Sequence, residues 1–151
     1  MWTACASGPS LRDGVYRDRR QGWSIAAPPA GWKRVSVEGA DLAFQGPSGA
    51  SIAATSHCDV AVVPLDVLAR RLRAGFGAQD VLEDRAVTLA GRPARLQVLA
   101  LPGGGRVRTV TRAAAPCVQD FVLVAPRDVD ASTAVFDAWW ATFAPSREPA
   151  P

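Results

Sequence analysis

The stretch Glu83–Ala125, EDRAVTLAGRPARLQVLALPGGGRVRTVTRAAAPCVQDFVLVA, decides how the chain is read. It divides into four consecutive strand-like runs, Arg85–Leu89, Arg92–Leu101, Arg106–Ala114 and Cys117–Ala125. Between them stand Ala90-Gly91, Pro102-Gly103-Gly104-Gly105 and Ala115-Pro116. Glycine reaches positive φ without steric cost and proline removes a ladder donor, so each of these points ends one strand and begins the next. Within the runs the residues alternate. Ala94, Leu96, Val98 and Ala100 share one face of the second run, and Arg106, Arg108, Val110 and Arg112 share one face of the third. The fourth is apolar on both faces apart from Gln119 and Asp120, as a central strand should be.

A meander of this kind needs its faces covered, and two amphipathic stretches are available. Leu65, Leu68, Ala69, Leu72 and Phe76 form one stripe of a helix expected over Leu65–Phe76, opened by Pro64 and stopped by Gly75 and Gly77. A second helix, Ala131–Thr142, has Asp130 as its expected N-cap and a broad face of Val135, Phe136, Trp139, Trp140 and Phe143. Upstream, Val15–Asp18 and Trp23–Ala26 read as a hairpin. Val35–Val37, Leu42–Gln45 and Ser51–His57 read as further strands. The expected organisation is a leader or tether over 1–14, one globular domain over 15–144 and a disordered tail over 145–151.

Composition narrows the function class. With 151 residues, 48% apolar and 21% charged, the chain is long enough to bury a core without a metal. The net charge is only +3, and of 17 basic residues Lys33 alone is lysine. The arginines are scattered over several elements rather than gathered in a stripe with aromatics, which argues against nucleic acid as a partner. No apolar run approaches the ~20 residues of a membrane-spanning helix.

The first residues, Met1-Trp2-Thr3-Ala4-Cys5-Ala6-Ser7-Gly8, resemble the end of a bacterial lipoprotein signal, in which a small residue precedes a cysteine that is lipidated. The resemblance implies Cys5 as the lipidation site and a lipid-anchored location in the periplasm or on the outer surface. The basic and apolar parts of such a signal are not written ahead of Ala4, so a cytoplasmic leader is the alternative. Cys58 ends one expected strand and Cys117 opens another. Adjacent strand ends would let them form a disulfide, which suits an oxidising compartment, whereas two buried thiols are the alternative.

The order of elements, from the Tyr16 strand through Gly22-Trp23-Ser24-Ile25 and Pro28-Pro29-Ala30-Gly31-Trp32 to Val87-Thr88-Leu89-Ala90-Gly91-Arg92-Pro93-Ala94 and a closing helix ending Trp139–Phe143, is similar to the PsbP-like fold. The resemblance covers about Tyr16–Phe143. It implies an α+β fold, an α/β/α sandwich around a central antiparallel sheet with two main helices. It also implies a non-enzymatic role in assembling or stabilising larger complexes, with a protein of the cell envelope as partner and no cofactor.

Chemical motifs are sparse. His57 is the sole histidine, and a metal site or enzyme centred on it would need Cys58, Asp59 and Cys117 as companions. A disulfide between those cysteines would remove that option. Gly103-Gly104-Gly105 lies between strands, where a phosphate-binding loop would open a helix. The expected contact surface is therefore the arginine-bearing sheet face, Arg106, Arg108 and Arg112, or the exposed end of the closing helix at Trp140. A small-ligand carrier is the second reading, with a pocket between sheet and helices lined by Trp23, Trp32 or Trp140.

Overall fold

A computed structural model describes residues 8–58, 61, 63–77, 80–146 and 148. In chain order the elements are β1 (Ser10–Arg12), β2 (Val15–Asp18), β3 (Trp23–Ala26), β4 (Lys33–Val35), β5 (Leu42–Gln45) and β6 (Ser51–His57). They continue with α1 (Leu65–Ala74), β7 (Val81–Leu89), β8 (Arg92–Ala100), β9 (Arg106–Ala114), β10 (Cys117–Ala125), α2 (Val129–Trp140) and β11 (Ala144–Pro145). Seven strands form the main antiparallel sheet in the order β4-β5-β6-β10-β9-β8-β7, and β1-β2-β3-β11 form a smaller one. The expected meander is β7–β10. Its first hairpin turns on Ala90 and Gly91, both at positive φ (48° and 74°), the geometry a two-residue turn needs to match the twist of its strands.

Register decides which side each helix covers. Leu96 faces Val110, which faces Phe121, which faces Ala54. This row belongs to one buried cluster with Phe136 and Trp139 of α2 and with Tyr16, Trp23 and Ile25 of the small sheet. The alternate row, Gln97–Thr109 and Arg95–Thr111–Asp120, points the other way, toward α1, which lies against β8 and β9. The chain is thus an α+β protein, an α/β/α sandwich whose α2 layer is completed by the small sheet. Trp139 meets Phe44 and Phe121 edge-on at 6.0 and 6.2 Å, contacts worth about 0.5–1.5 kcal/mol each beyond the area they bury.

Several local expectations shift. The strand expected at Val35–Val37 lies at Lys33–Val35, because pairing with β5 sets Arg34 opposite Phe44 and over the Tyr16 ring, and Val37 is left exposed. Asp130 is not the N-cap of α2. The helix begins two residues earlier, after Asp128, whose carboxylate takes a hydrogen bond from the Ser48 hydroxyl instead of capping its own helix. α1 ends at Ala74 with Gly75 as its C-cap. Both terminal segments are more ordered than expected. Ser10–Arg12 pairs with β2, inside the span read as a tether. Ala144–Pro145 pairs with β3 and the Ser146 amide donates to Gly22 O at 2.6 Å, inside the span read as a disordered tail.

Candidate functional site

The arginines of β9 are engaged with the rest of the fold, Arg112 buried and Arg106 and Arg108 half-buried. Arg112 has no exposed area. It donates to Leu89 O (2.9 Å), Ala90 O (3.3 Å) and Gln119 Oε1 (3.0 Å), and to both carboxylate oxygens of Glu148 at 2.6 Å. Its guanidinium also lies 5.3 Å from the centre of the Phe143 ring. Arg108 makes a two-pronged bond to Asp137 of α2 at 2.9 and 2.8 Å and lies 3.7 Å from Glu83. Trp140 donates its indole N–H to the same Asp137 carboxylate at 2.9 Å. Arg106 donates to the carbonyls of Gly104 and Gly105. The face alternates Arg with apolar residues because its guanidiniums are bridges: β9 to α2 through Asp137, and β9 to the C-terminal segment through Glu148. A charge so buried survives only when paired and hydrogen-bonded, and these are.

The tryptophans do not enclose a common cavity. Trp23 is buried against Phe143, with ring centres 6.2 Å apart. Trp140 is half-buried and held by Asp137. Of these three, Trp32 alone borders the groove. Its ring lies across Gly46, so close that a Cβ there would stand 2.5 Å from it. Beside it is a hollow of about 510 Å³, walled by Trp32, Pro47, Val129, Ala131 and Val135, with Asp128 and Asp130 at the N-terminal end of α2. A second hollow of about 330 Å³ continues along the helix past Pro28, Pro29, Ala134 and Ala138. Both share Val135, so together they make one apolar trough along the outer flank of α2. Sequence reasoning named Trp32 as a pocket residue but not its companions, because Pro28, Pro29 and Pro47 read as chain breakers and meet α2 only through the fold.

Cys58 and Cys117 form a disulfide. The expected pairing follows from register, since β6 and β10 run side by side up to His57 opposite Val118. Both sulfurs are thereby withdrawn from any metal site at His57, and among the described residues no three His, Cys, Asp or Glu side chains gather as ligands. His57 is exposed on a polar hollow of about 380 Å³ with Arg20, Gln21 and Ser56. Asp120 lies on the α1 face, and burial raises its carboxyl above the ordinary value, a push that a hydrogen bond from Thr111 and, less, the charge of His57 partly oppose. Cys5, the expected lipidation site, lies outside the described residues.

Two sheets, two helices on opposite faces of the larger one and a closing aromatic helix define a PsbP-like fold. The solution structure of cyanobacterial PsbP (CyanoP) from Synechocystis sp. PCC 6803 is similar to this chain with a TM-score of 0.65, covering 96% of each chain at 15% identity. No protein-family profile and no curated protein matches the sequence. The disulfide fits an extracytoplasmic location, and among the described residues no helix is long and apolar enough to cross a membrane.

Proposed function

We propose that this chain is a non-catalytic binding or assembly module of the bacterial cell envelope, anchored by lipid at Cys5, that takes an apolar segment of a partner protein into the trough along α2. The trough carries this reading. It is elongated rather than closed, its walls are mostly aliphatic and proline side chains with Trp32 and Trp139 and a few hydroxyls, and no arginine or lysine lines it. Its only charges are the carboxylates of Asp128 and Asp130 at one end, so the fitting occupant is an apolar run ending in a basic residue. The PsbP-like fold supports a role in larger complexes, and the disulfide supports an oxidising compartment.

A photo-crosslinking residue at Val135, compared with one at Arg71 on the exposed side of α1, tests the site in intact cells. The expected result is one discrete protein adduct from position 135, absent from position 71 and lost when Ala138 is also changed to Glu. Equal labelling from both positions would defeat the proposal. Metabolic labelling with a fatty acid, abolished by Cys5→Ala, tests the anchor separately.

A further inference from the structure

The net positive charge of the chain has one origin. Residues 1–35 hold six basic and two acidic side chains, whereas residues 36–151 hold eleven basic and twelve acidic ones. The six are Arg12, Arg17, Arg19, Arg20, Lys33 and Arg34, and all are exposed. Register sets Ser10 opposite Arg17 and Arg12 opposite Val15, so Arg12 and Arg17 share a face and are diagonal neighbours across β1 and β2. The other face of the small sheet carries Tyr16, Trp23 and Ile25 into the core. The two arginines therefore stand on its outer face, in line with the half-exposed Ser24 and Ala26. Arg19 and Arg20 follow in the turn that leaves β2. Arg34 joins the same sheet by donating to Pro9 O at 3.0 Å, with its guanidinium over the Tyr16 ring.

Little negative charge answers this group. Asp18 is 8% exposed, and its carboxylate already accepts the Arg20 and Gln21 amides. Asp13 lies 3.9 Å from Arg12, a solvated pair that binds neither charge firmly. Among the described residues no carboxylate lies within ion-pair distance of Arg17, Arg19, Arg20 or Lys33. The contrast is with β9, where Arg108 and Arg112 are each matched by a carboxylate. β1 also sets how far this face can stand from Cys5. Ser10 already pairs with β2, so five residue steps connect the sheet to Cys5, and an extended chain covers at most ~18 Å over that length. An acylated Cys5 would hold the sheet within that reach of a bilayer surface. Leu11, on the same edge strand, is 54% exposed and offers an apolar contact beside the charges.

We propose that the outer face of β1 and β2, with the Arg19–Arg20 turn, docks on a phospholipid bilayer that bears anionic headgroups. Guanidiniums suit lipid phosphates because their planar fork makes two-pronged, charge-assisted bonds. A basic patch next to a lipid anchor is the second of the two signals that stable membrane attachment uses, and it turns one defined face of the domain to the membrane. The inference rests on the anchor proposed above at Cys5 and is independent of the α2 trough.

Sedimentation of the disulfide-bonded chain carrying Cys5→Ala, and hence without acyl groups, reads the patch apart from the anchor. The probes are vesicles of phosphatidylcholine alone and of phosphatidylcholine with about 30% phosphatidylglycerol. At low salt, about 50 mM, partitioning onto the anionic vesicles should be at least about tenfold stronger than onto the neutral ones, and about 500 mM salt should abolish the difference. Arg12→Gln and Arg17→Gln should each cost about fivefold, whereas Arg71→Gln on α1 and Arg127→Gln before α2 should change binding by less than about twofold. Equal binding to both vesicle types would overturn the proposal, and so would equal losses from Arg17→Gln and Arg71→Gln. Fatty-acid labelling at Cys5 without vesicle binding would refute the docking face and leave the anchor standing. Vesicle binding without labelling would refute the anchor and support the docking face.

Discussion

Removing the carboxylate of Glu148 should destabilise the protein far more than its place near the end of the chain suggests. Arg112 has no exposed area, and both of its terminal nitrogens reach Glu148 at 2.6 Å. In Glu148→Gln the guanidinium keeps Leu89 O, Ala90 O, Gln119 Oε1 and the Phe143 ring but loses its counter-charge. Stranding one member of a buried pair costs about 3–5 kcal/mol, and the four contacts that remain place this case at the low end, about 3 kcal/mol. For a domain of this length that lowers the melting temperature by roughly 6–12 °C. Arg112→Leu should cost less, because Glu148 is 18% exposed and still has Arg92 at 3.8 Å. The double variant Arg112→Leu, Glu148→Leu should recover most of the loss, as apolar replacements of buried pairs generally do. Urea unfolding with the disulfide intact measures all three. A Glu148→Gln variant within about 0.5 kcal/mol of the parent would show that the C-terminal segment is not the lock described here.

Three further outcomes follow from single contacts. The disulfide closes a loop between residues 59 apart, and the chain-entropy relation assigns it about 4 kcal/mol. Cys58→Ala, Cys117→Ala should therefore lower urea stability by that order, and a thiol titration of the denatured, unreduced parent should find Cys5 alone reactive in protein that carries no lipid and no reactive thiol in lipidated protein; reactive Cys58 and Cys117 would refute the bridge. Asp120 has its folded carboxyl raised by burial, so the folded state holds its proton longer than the unfolded chain does. Stability then falls as pH climbs from the ordinary carboxylate value through the raised one, and Asp120→Asn should remove that slope; parallel stability–pH curves for parent and variant would contradict it. Gly46→Ala places a methyl in the space of the Trp32 ring and should cost about 1–3 kcal/mol while swinging the indole outward, visible as a red-shifted tryptophan emission. A variant with unchanged stability and emission would mean that Trp32 does not rest on Gly46.

How much of this was legible in the sequence depended on distance along the chain. β8, β9 and β10 could be read almost to the residue because alternation and Gly or Pro turns are local signals. The Cys58–Cys117 pairing was legible because each cysteine punctuates a readable strand. The arginines of β9 were placed on the correct face, but the ion pairs that Arg108 and Arg112 make were not legible. An arginine on an alternating strand reads as wet, and its counter-charges lie 29 residues away at Asp137 and 36 away at Glu148. Asp130 looked like the cap because it precedes the apolar run, whereas the true boundary at Asp128 is set by a partner, Ser48, 80 positions earlier. Glu148 was hidden in a Pro-rich ending. A buried strand arginine opposite Gln119 was the one clue that a carboxylate had to come from elsewhere.

The two faces of the main sheet are packed differently, and both hold buried polar atoms without partners, among them the Trp23 and Trp139 indole nitrogens on the α2 side and Gln97 Oε1 and Thr109 Oγ1 on the α1 side. The α2 face gathers Ile25, Leu96, Val110, Leu123 and Phe136, all with no exposed area, together with the bridges through Arg108 and Arg112. The α1 face holds Gln97 Oε1 and Thr109 Oγ1 buried without partners, each costing about 1–3 kcal/mol if nothing meets it, whereas Thr111 bonds to Asp120. Net stabilities of domains are only about 5–15 kcal/mol, so two unmet oxygens would consume much of what the α2 face provides. Leucine or valine at Gln97 and Thr109 would remove that cost without altering the strand pattern, which already tolerates Leu99 and Val107 on the same face.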